Sequence, residues 1–170
     1  MGHREHRRGG PAAVPCAVVT VSDTRDEAGD ASGGFIRRAL LLAGHPVVDY
    51  RILKDEPAPI VAHLKALAER RDVRVVLMSG GTGIAPRDTT FEALDSLIEK
   101  GLPGFGEIFR ALSYRQVGPA AILSRALAGT YRGMLVFSMP GSEKAVRLAV
   151  RRLILPELPH MAELLEEAGG

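Results

Sequence analysis

The first strong pattern along the chain is a run of apolar positions. Residues 16–22, Cys-Ala-Val-Val-Thr-Val-Ser, are β-branched and almost continuously hydrophobic, as a strand is when a parallel sheet buries both its faces. Residues 46–54, 73–79 and 133–139 predict three more strands. Helical spacing fills the intervals. Ile36, Leu40 and Ala43 repeat at four and three, and Gly44 supplies a stop. Ile60, Leu64, Leu67 and Ala68 share one helical face, after Pro57 and Pro59 at its start. Phe91, Leu94 and Ile98 mark a third helix, and Val146, Ala149, Val150, Leu153 and Ile154 a fourth. Pro156 predicts a break there, followed by a short terminal helix at 158–167. Residues 102–131 carry Leu102, Phe105, Ile108, Phe109, Leu112, Ile122 and Leu123 with only weak periodicity, and read as an excursion that meets a neighbouring subunit.

Strands alternating with helices predict an α/β fold: doubly wound, with a mostly parallel sheet, helices on both faces and a single domain. The expected division is a disordered tail over 1–13 and the folded domain over 14–170. Ligands of such sheets bind beyond the carboxyl ends of the strands, so the segments that follow strands should carry the chemistry.

Composition narrows the picture. The chain has 170 residues, of which 46% are hydrophobic, enough for one real core. No apolar run reaches the roughly 18 residues of a membrane span. One cysteine excludes an internal disulfide framework and a cysteine-based zinc site; Cys16 reads as a core residue. The net charge of +2 is local, because Arg4, Arg7 and Arg8 against Glu5 account for all of it and leave 19 basic and 19 acidic residues in the rest. The body therefore has no basic surplus for nucleic acid. With 5% aromatics and no tryptophan it is also poor in stacking platforms. The basic start lacks the apolar stretch of a secretory signal, and the lone cysteine fits the cytoplasm.

Each strand leads into glycine, hydroxyl or carboxylate residues. Ser22-Asp23 follows the first strand and Asp55-Glu56-Pro57 the second. Ser79-Gly80-Gly81-Thr82-Gly83 follows the third and runs on to Arg87-Asp88; Pro140-Gly141-Ser142 follows the last. Glycines let backbone N–H groups approach an anion. The Gly80–Gly83 loop is no Walker loop, lacking Gly-Lys-Ser/Thr, and no dinucleotide fingerprint, because Pro86 stands where the third glycine belongs. Its strand-end position beside a hydroxyl favours phosphate binding over a plain tight turn. Pro140-Gly141-Ser142 is open to two readings, an anion site or an ordinary helix cap by Ser142 through Val146. Asp55 and Asp88 follow different strands; they either hold turns or converge as a pair suited to Mg²⁺ with phosphate oxygens. No protein nucleophile stands out, since no serine sits in a Gly-x-Ser-x-Gly elbow and His45, His63 (on the exposed side of its helix) and His160 have no evident partner. What remains is positioning and electrostatics, as in phosphoryl or nucleotidyl transfer between bound ligands.

Six segments then occur in a telling order: Val21-Ser22-Asp23, Ser79 to Gly83, Arg87-Asp88, Pro103-Gly104-Phe105-Gly106-Glu107, Leu123-Ser124-Arg125-Ala126 and Met139-Pro140-Gly141-Ser142. Together they resemble the molybdenum cofactor biosynthesis family of molybdopterin-binding domains over about residues 15–160, most nearly its bacterial B-type members, with the Mog type next. The resemblance implies a trimer or hexamer that binds molybdopterin and adenylylates it with Mg-ATP, releasing pyrophosphate. It implies Asp55 and Asp88 as the essential pair placing Mg²⁺ and nucleotide. It implies Gly80, Gly81, Thr82 and Gly83 on ligand phosphate, with Ser22 and Asp23 at the same rim. Glu107 and Ser124 would lie around the pterin pocket, and Pro140, Gly141 and Ser142 would border the pterin phosphate. The chain departs from the family pattern at Ser138, where many relatives have Asn, and at Glu143, where many have Pro; Lys144 is expected to offset the added charge. Alternatives of other classes are an oligomeric molybdopterin carrier without adenylylation and a hydrolase of nucleotide diphosphates.

Overall fold

A computed structural model describes residues 13–167. The tail expected at the amino terminus lies, but for Ala13, outside the described residues. Six strands form one sheet: β1 (Cys16–Val21), β2 (Val47–Leu53), β3 (Val75–Ser79), β4 (Lys100–Gly101), β5 (Leu127–Tyr131) and β6 (Met134–Met139). Their spatial order is β2-β1-β3-β6-β5-β4. The first four neighbours run parallel, and β5 and β4 complete the sheet antiparallel. The mostly parallel sheet expected from the apolar runs is thus observed.

The helices are α1 (Ala31–Leu42), α2 (Pro57–Ala68), α3 (Thr90–Asp95), α4 (Pro103–Val117), α5 (Glu143–Ala149) and α6 (Leu155–Glu167). Every residue of β1, β3 and β6 is buried, because helices cover both faces. On one face Cys16, Val18, Val75 and Leu77 pack with Phe35, Ile36, Phe109, Val146 and Ile154 from α1, α4 and the α5–α6 region. On the other, Ala17, Val19, Val76 and Met78 pack with Ile60, Leu64 and Leu67 of α2 and Leu94 of α3. At roughly 1.5–3 kcal/mol for each buried aliphatic side chain, these two layers dominate folding.

Two expectations need correction. Pro156 does not break the terminal helix. A π turn, Val150–Ile154, joins α5 to α6, with the Leu155 N–H donating to the Val150 carbonyl five residues back. Pro156 has no N–H to give the Arg152 carbonyl and its ring would crowd that carbonyl; the wider turn absorbs both faults. The segment 102–131 is not simply an excursion. It contains α4, a 3₁₀ turn at Gly118–Leu123 and the antiparallel strand β5. Arg132 (φ 44°) and Gly133 (φ 78°) turn β5 into β6 with the two positive-φ residues a tight hairpin needs. Gly44 does end α1, at φ 84°. No helix among the described residues is long and apolar enough to cross a membrane.

The chain steps from β1 outward to β2 and then returns to β3 on the other side of β1. That reversal opens a crevice beyond the carboxyl ends of β1 and β3, where the glycine loop begins.

Candidate active site

Gly80 leaves β3 at φ 98°, its N–H donating to the Met139 carbonyl (3.0 Å). A Cβ there would overlap the Val21 carbonyl, so only glycine can follow this path. Gly81 (φ 66°) lies beneath Asp55: a Cβ on it would stand 3.2 Å from Asp55 Oδ1 and 3.0 Å from Thr90 Cγ2. Thr82 is buried, and Gly83 leans on Asp88, whose carboxylate fills the space a Gly83 side chain would need. Gly81 and Gly83 are two residues apart, so Asp55 and Asp88 border one loop.

The two carboxylates are held differently. The Asp55 amide donates to Asp23 Oδ1 (3.0 Å), which fixes the turn after β2, yet Asp55 Oδ1 is buried without a hydrogen-bond partner. Asp88 Oδ2 accepts from the Ala85 amide (2.9 Å) and so also holds its own turn. Arg87, 80% exposed, reaches Asp23 (3.6 Å) and Asp88 (3.8 Å). Buried hydroxyls without partners accompany Asp55: Ser79 Oγ at the root of the loop and Oγ1 of Thr90, whose methyl group faces Gly81. Buried oxygens of this kind call for a partner, whether a ligand, a cation or water. Among the described residues no three His, Cys, Asp or Glu side chains gather as a metal cage. Mg²⁺ asks for less, taking one or two carboxylates with substrate phosphates, and the orphaned Asp55 Oδ1 fits that donor role.

The second loop touches the first. A Cβ on Gly141 would lie 3.1 Å from Gly80 Cα. The Gly141 carbonyl accepts from Ser32 Oγ (2.9 Å) and from both terminal nitrogens of Arg25 (3.3 and 3.2 Å). Behind them Asp30, 3% exposed, caps α1 through the Gly33 N–H (2.9 Å) and accepts from Thr20 Oγ1 (2.6 Å) and Tyr50 Oη (2.8 Å). Burial, then these contacts with Asp30, pushes the Tyr50 hydroxyl up to about 12. Ser22 Oγ accepts from the Thr24 and Arg25 amides, aiming Arg25 back at the second loop. Ser142 caps α5 by accepting from the Ala145 amide (3.3 Å), while its carbonyl takes the Val146 N–H (3.0 Å). Glu143 pairs with Arg147 one turn on (2.6 Å), not with Lys144.

The remaining sequence candidates lie apart. Glu107 is exposed on α4, and among the described residues its side chain makes no hydrogen bond to either loop. Ser124 ends the 3₁₀ turn; its neighbour Arg125 is what reaches the site, donating to the Gly83 carbonyl (3.0 Å) and to Glu92 (2.6 Å) across the Phe91 ring. Of the three histidines singled out, His45 and His63 have hydrogen-bond partners, and His160 Nδ1 is buried without one among the described residues. His45 Nδ1 accepts from the Val14 amide, and burial lowers its pKa. His63 is half-buried against Asp49 (3.1 Å), and His160 lies 3.7 Å from Glu163. Cys16 is fully buried, and burial pushes its thiol up to about 12, which disqualifies it as a nucleophile. Sequence reasoning missed Arg25, Asp30 and Thr90, whose closeness to the glycine loops exists only in the fold.

Comparison with known proteins decides the family. The model of a probable molybdopterin binding domain matches residues 17–160. The chain belongs to that family. A molybdenum cofactor biosynthesis protein B of Halalkalibacterium halodurans is 50% identical over 169 residues, covering 98% of this chain and 99% of its own. The crystal structure of a molybdenum cofactor biosynthesis protein B superposes with a TM-score of 0.90 at 48% identity, over 94% of this chain and 99% of that one. The tungsten cofactor synthesizing protein MoaB from Pyrococcus furiosus follows the same path, with a TM-score of 0.81 at 37% identity over 91% and 98% of the two chains. The molybdopterin-binding fold and the likeness to B-type members expected from the six segments are borne out.

Proposed function

We propose that this chain is a cytoplasmic enzyme of molybdenum cofactor biosynthesis that binds molybdopterin and adenylylates it with Mg-ATP. The observation that carries the reading is the buried, unpartnered Asp55 Oδ1 against Gly81, in a loop bordered on its other side by Asp88. A carboxylate left so is costly unless a cation or donor arrives. Asp55 and Asp88 would hold Mg²⁺, which supplies charge neutralisation to the nucleotide phosphates. Gly81 and Gly83 would present backbone N–H groups to phosphate, and Thr82 a hydroxyl; the Gly80 N–H, held by the Met139 carbonyl, would shape the loop and not bind the ligand. A terminal phosphate oxygen of molybdopterin attacks the α-phosphorus of ATP; that P–O bond forms as the bond from the α-phosphorus to the bridging oxygen breaks. Pyrophosphate leaves with the electron pair, and AMP stays on the pterin phosphate. The substrate brings its own nucleophile, which suits a site whose one cysteine is buried. Alignment of two bound ligands is what the protein contributes.

The test is direct. Purified molybdopterin with Mg-ATP and this protein should release pyrophosphate in step with pterin adenylylation. Pterin binding without pyrophosphate release would leave the carrier reading instead, and pyrophosphate chemistry on a nucleotide diphosphate without pterin would favour the hydrolase.

Assembly as a homotrimer or homohexamer belongs to the same reading. Ile108, Tyr114, Val117, Ile122 and Leu123 are exposed along α4 and the 3₁₀ turn, Ile122 by 83%. Light scattering on the intact chain should give three or six copies; a monomer would refute the assembly.

A further inference from the structure

Arg25 is bound less well than its position suggests. Its guanidinium makes two long hydrogen bonds to the Gly141 carbonyl (3.3 and 3.2 Å), an oxygen that Ser32 Oγ already holds at 2.9 Å. Among the described residues its one close carboxylate, Asp30, stands 3.8 Å away, beyond hydrogen-bond reach. Asp30 is itself engaged by the Gly33 amide, Thr20 and Tyr50. The cation is therefore weakly neutralised, and its side chain is 35% exposed at the junction of the two glycine loops. Guanidinium has a fixed fork that a phosphate matches with two short bonds, and a carbonyl does not.

Building on the molybdopterin reading, we propose that Arg25 captures the terminal phosphomonoester of the pterin substrate, its guanidinium turning from the Gly141 carbonyl to two phosphate oxygens. Ser32 keeps the Gly141 carbonyl when Arg25 leaves, so the loop stays against Gly80. Asp30 keeps its three hydrogen-bond donors when Arg25 turns, so on that side the move gives up only the longer 3.8 Å pairing for two short bonds to phosphate. The Ser22 hydroxyl, accepting from the Arg25 amide at 3.2 Å, fixes the backbone from which the side chain turns. The role is binding of a dianion; Arg25 takes no proton and forms no covalent bond.

Three variants of the full-length protein test this: Arg25→Ala, Arg25→Lys and Arg25→Gln. The glutamine amide still donates to Gly141 without the charge, so it keeps the fold if alanine does not. Molybdopterin binding is read from pterin fluorescence without ATP, and inorganic phosphate binding from ³¹P line broadening. Arg25→Ala and Arg25→Gln should weaken molybdopterin roughly 10- to 100-fold and abolish the phosphate signal, with Arg25→Lys in between. A pterin lacking the phosphate should bind wild type and variants alike, and ATP binding alone should not change.

Unchanged molybdopterin affinity in Arg25→Gln overturns the proposal. So does equal weakening of the phosphate-free pterin, which would make Arg25 merely structural, or weakening confined to ATP, which would give Arg25 to the nucleotide. If wild type bound no molybdopterin, the parent reading would fall. Arg25 would then be judged on inorganic phosphate: a wild-type signal lost in Arg25→Gln upholds it as an anion trap, and equal signals reject it.

Discussion

The two loops that meet at Gly80 and Gly141 are opposites in charge. Asp23, Asp55 and Asp88 surround the loop after β3; Arg87 there is mostly in solvent, and Arg125, on the Gly83 carbonyl, is already paired with Glu92. The loop after β6 is held by Arg25 and Ser32, with Asp30 buried behind them. On the proposed function, one side would receive phosphates that come with a cation, and the other a phosphate directly. A net-neutral body could then bind two polyanions. The positive charge on the acidic side would arrive with the ligand, and on the basic side it would be part of the chain.

The largest expected effects come from the acidic side. Asp88→Asn and Asp55→Asn should each lower AMP transfer by roughly 100-fold or more, the scale of losing one group that meets charge in the transition state. Pterin binding should stay mostly intact in both. The two should separate in stability. In Asp88→Asn the side-chain carbonyl can still accept from the Ala85 amide, whereas Asp55→Asn removes a charge from a group with an unpartnered buried oxygen. Thermal unfolding of Asp55→Asn should thus match or exceed wild type while activity is lost. Unchanged turnover in Asp88→Asn would sink the enzyme assignment.

Next comes the seam between the loops. Gly80→Ala drives a methyl group into the Val21 carbonyl at φ 98°, and should cost about 3 kcal/mol or more through overlap and strain together. Gly44→Ala is the control, because its φ is also positive, 84°, but nothing lies within 4 Å of a Cβ. It should cost only about 1 kcal/mol. Similar losses in denaturant titrations would mean that the seam tolerates more movement than close contact of the two loops allows.

How much of this was legible in the sequence follows the same physics. The runs at 16–22, 73–79 and 133–139 could be read because strands covered on both faces must be apolar at every position. Strand β5, Leu-Ala-Gly-Thr-Tyr, escaped because Gly129 interrupts it. A side chain there would collide with Ile98 and the Lys100 carbonyl, so the glycine serves packing against β4, not a turn. Helix α4 escaped for a like reason: Gly106 leaves room for the Ala126 carbonyl, 2.8 Å from where its Cβ would be. The glycine loop and its aspartates were visible from their place after strands. Arg25 was not, since its meaning depends on contact with Gly141, more than a hundred residues away, and Asp30 was not, since it depends on Tyr50 and Thr20 from two strands.

The Tyr50–Asp30 contact behind the basic loop gives a pH dependence. Tyr50 ordinarily titrates near 10 and in the fold near 12. The folded state thus holds a proton that the unfolded chain releases first. Stability from this group is complete below pH 10 and is lost as pH rises from 10 to 12. Tyr50→Phe should flatten that part of the curve and, at neutral pH, cost about 1 kcal/mol for the lost hydrogen bond. Cys16 acts in the same direction, from 9.0 to about 12, so the comparison is best made in a Cys16→Ala background. An alkaline limb unchanged by Tyr50→Phe would place the proton elsewhere.

The smallest effect tests whether the basic side is as positive as its geometry implies. Glu143 stands one residue beyond Ser142 and would weaken a phosphate site if its charge were free. Its carboxylate is instead held by Arg147 at 2.8 and 2.6 Å, through Nε and Nη2 on the same helix face. Both side chains are near half exposed, so the pair itself is worth about 0.5 kcal/mol at most. Glu143→Gln should accordingly shift thermal stability very little and molybdopterin affinity by less than about threefold. A tightening of about tenfold or more would show that Glu143 opposes the bound phosphate despite Arg147. The contrast between an acidic and a basic loop would then have to be redrawn with a carboxylate on both sides.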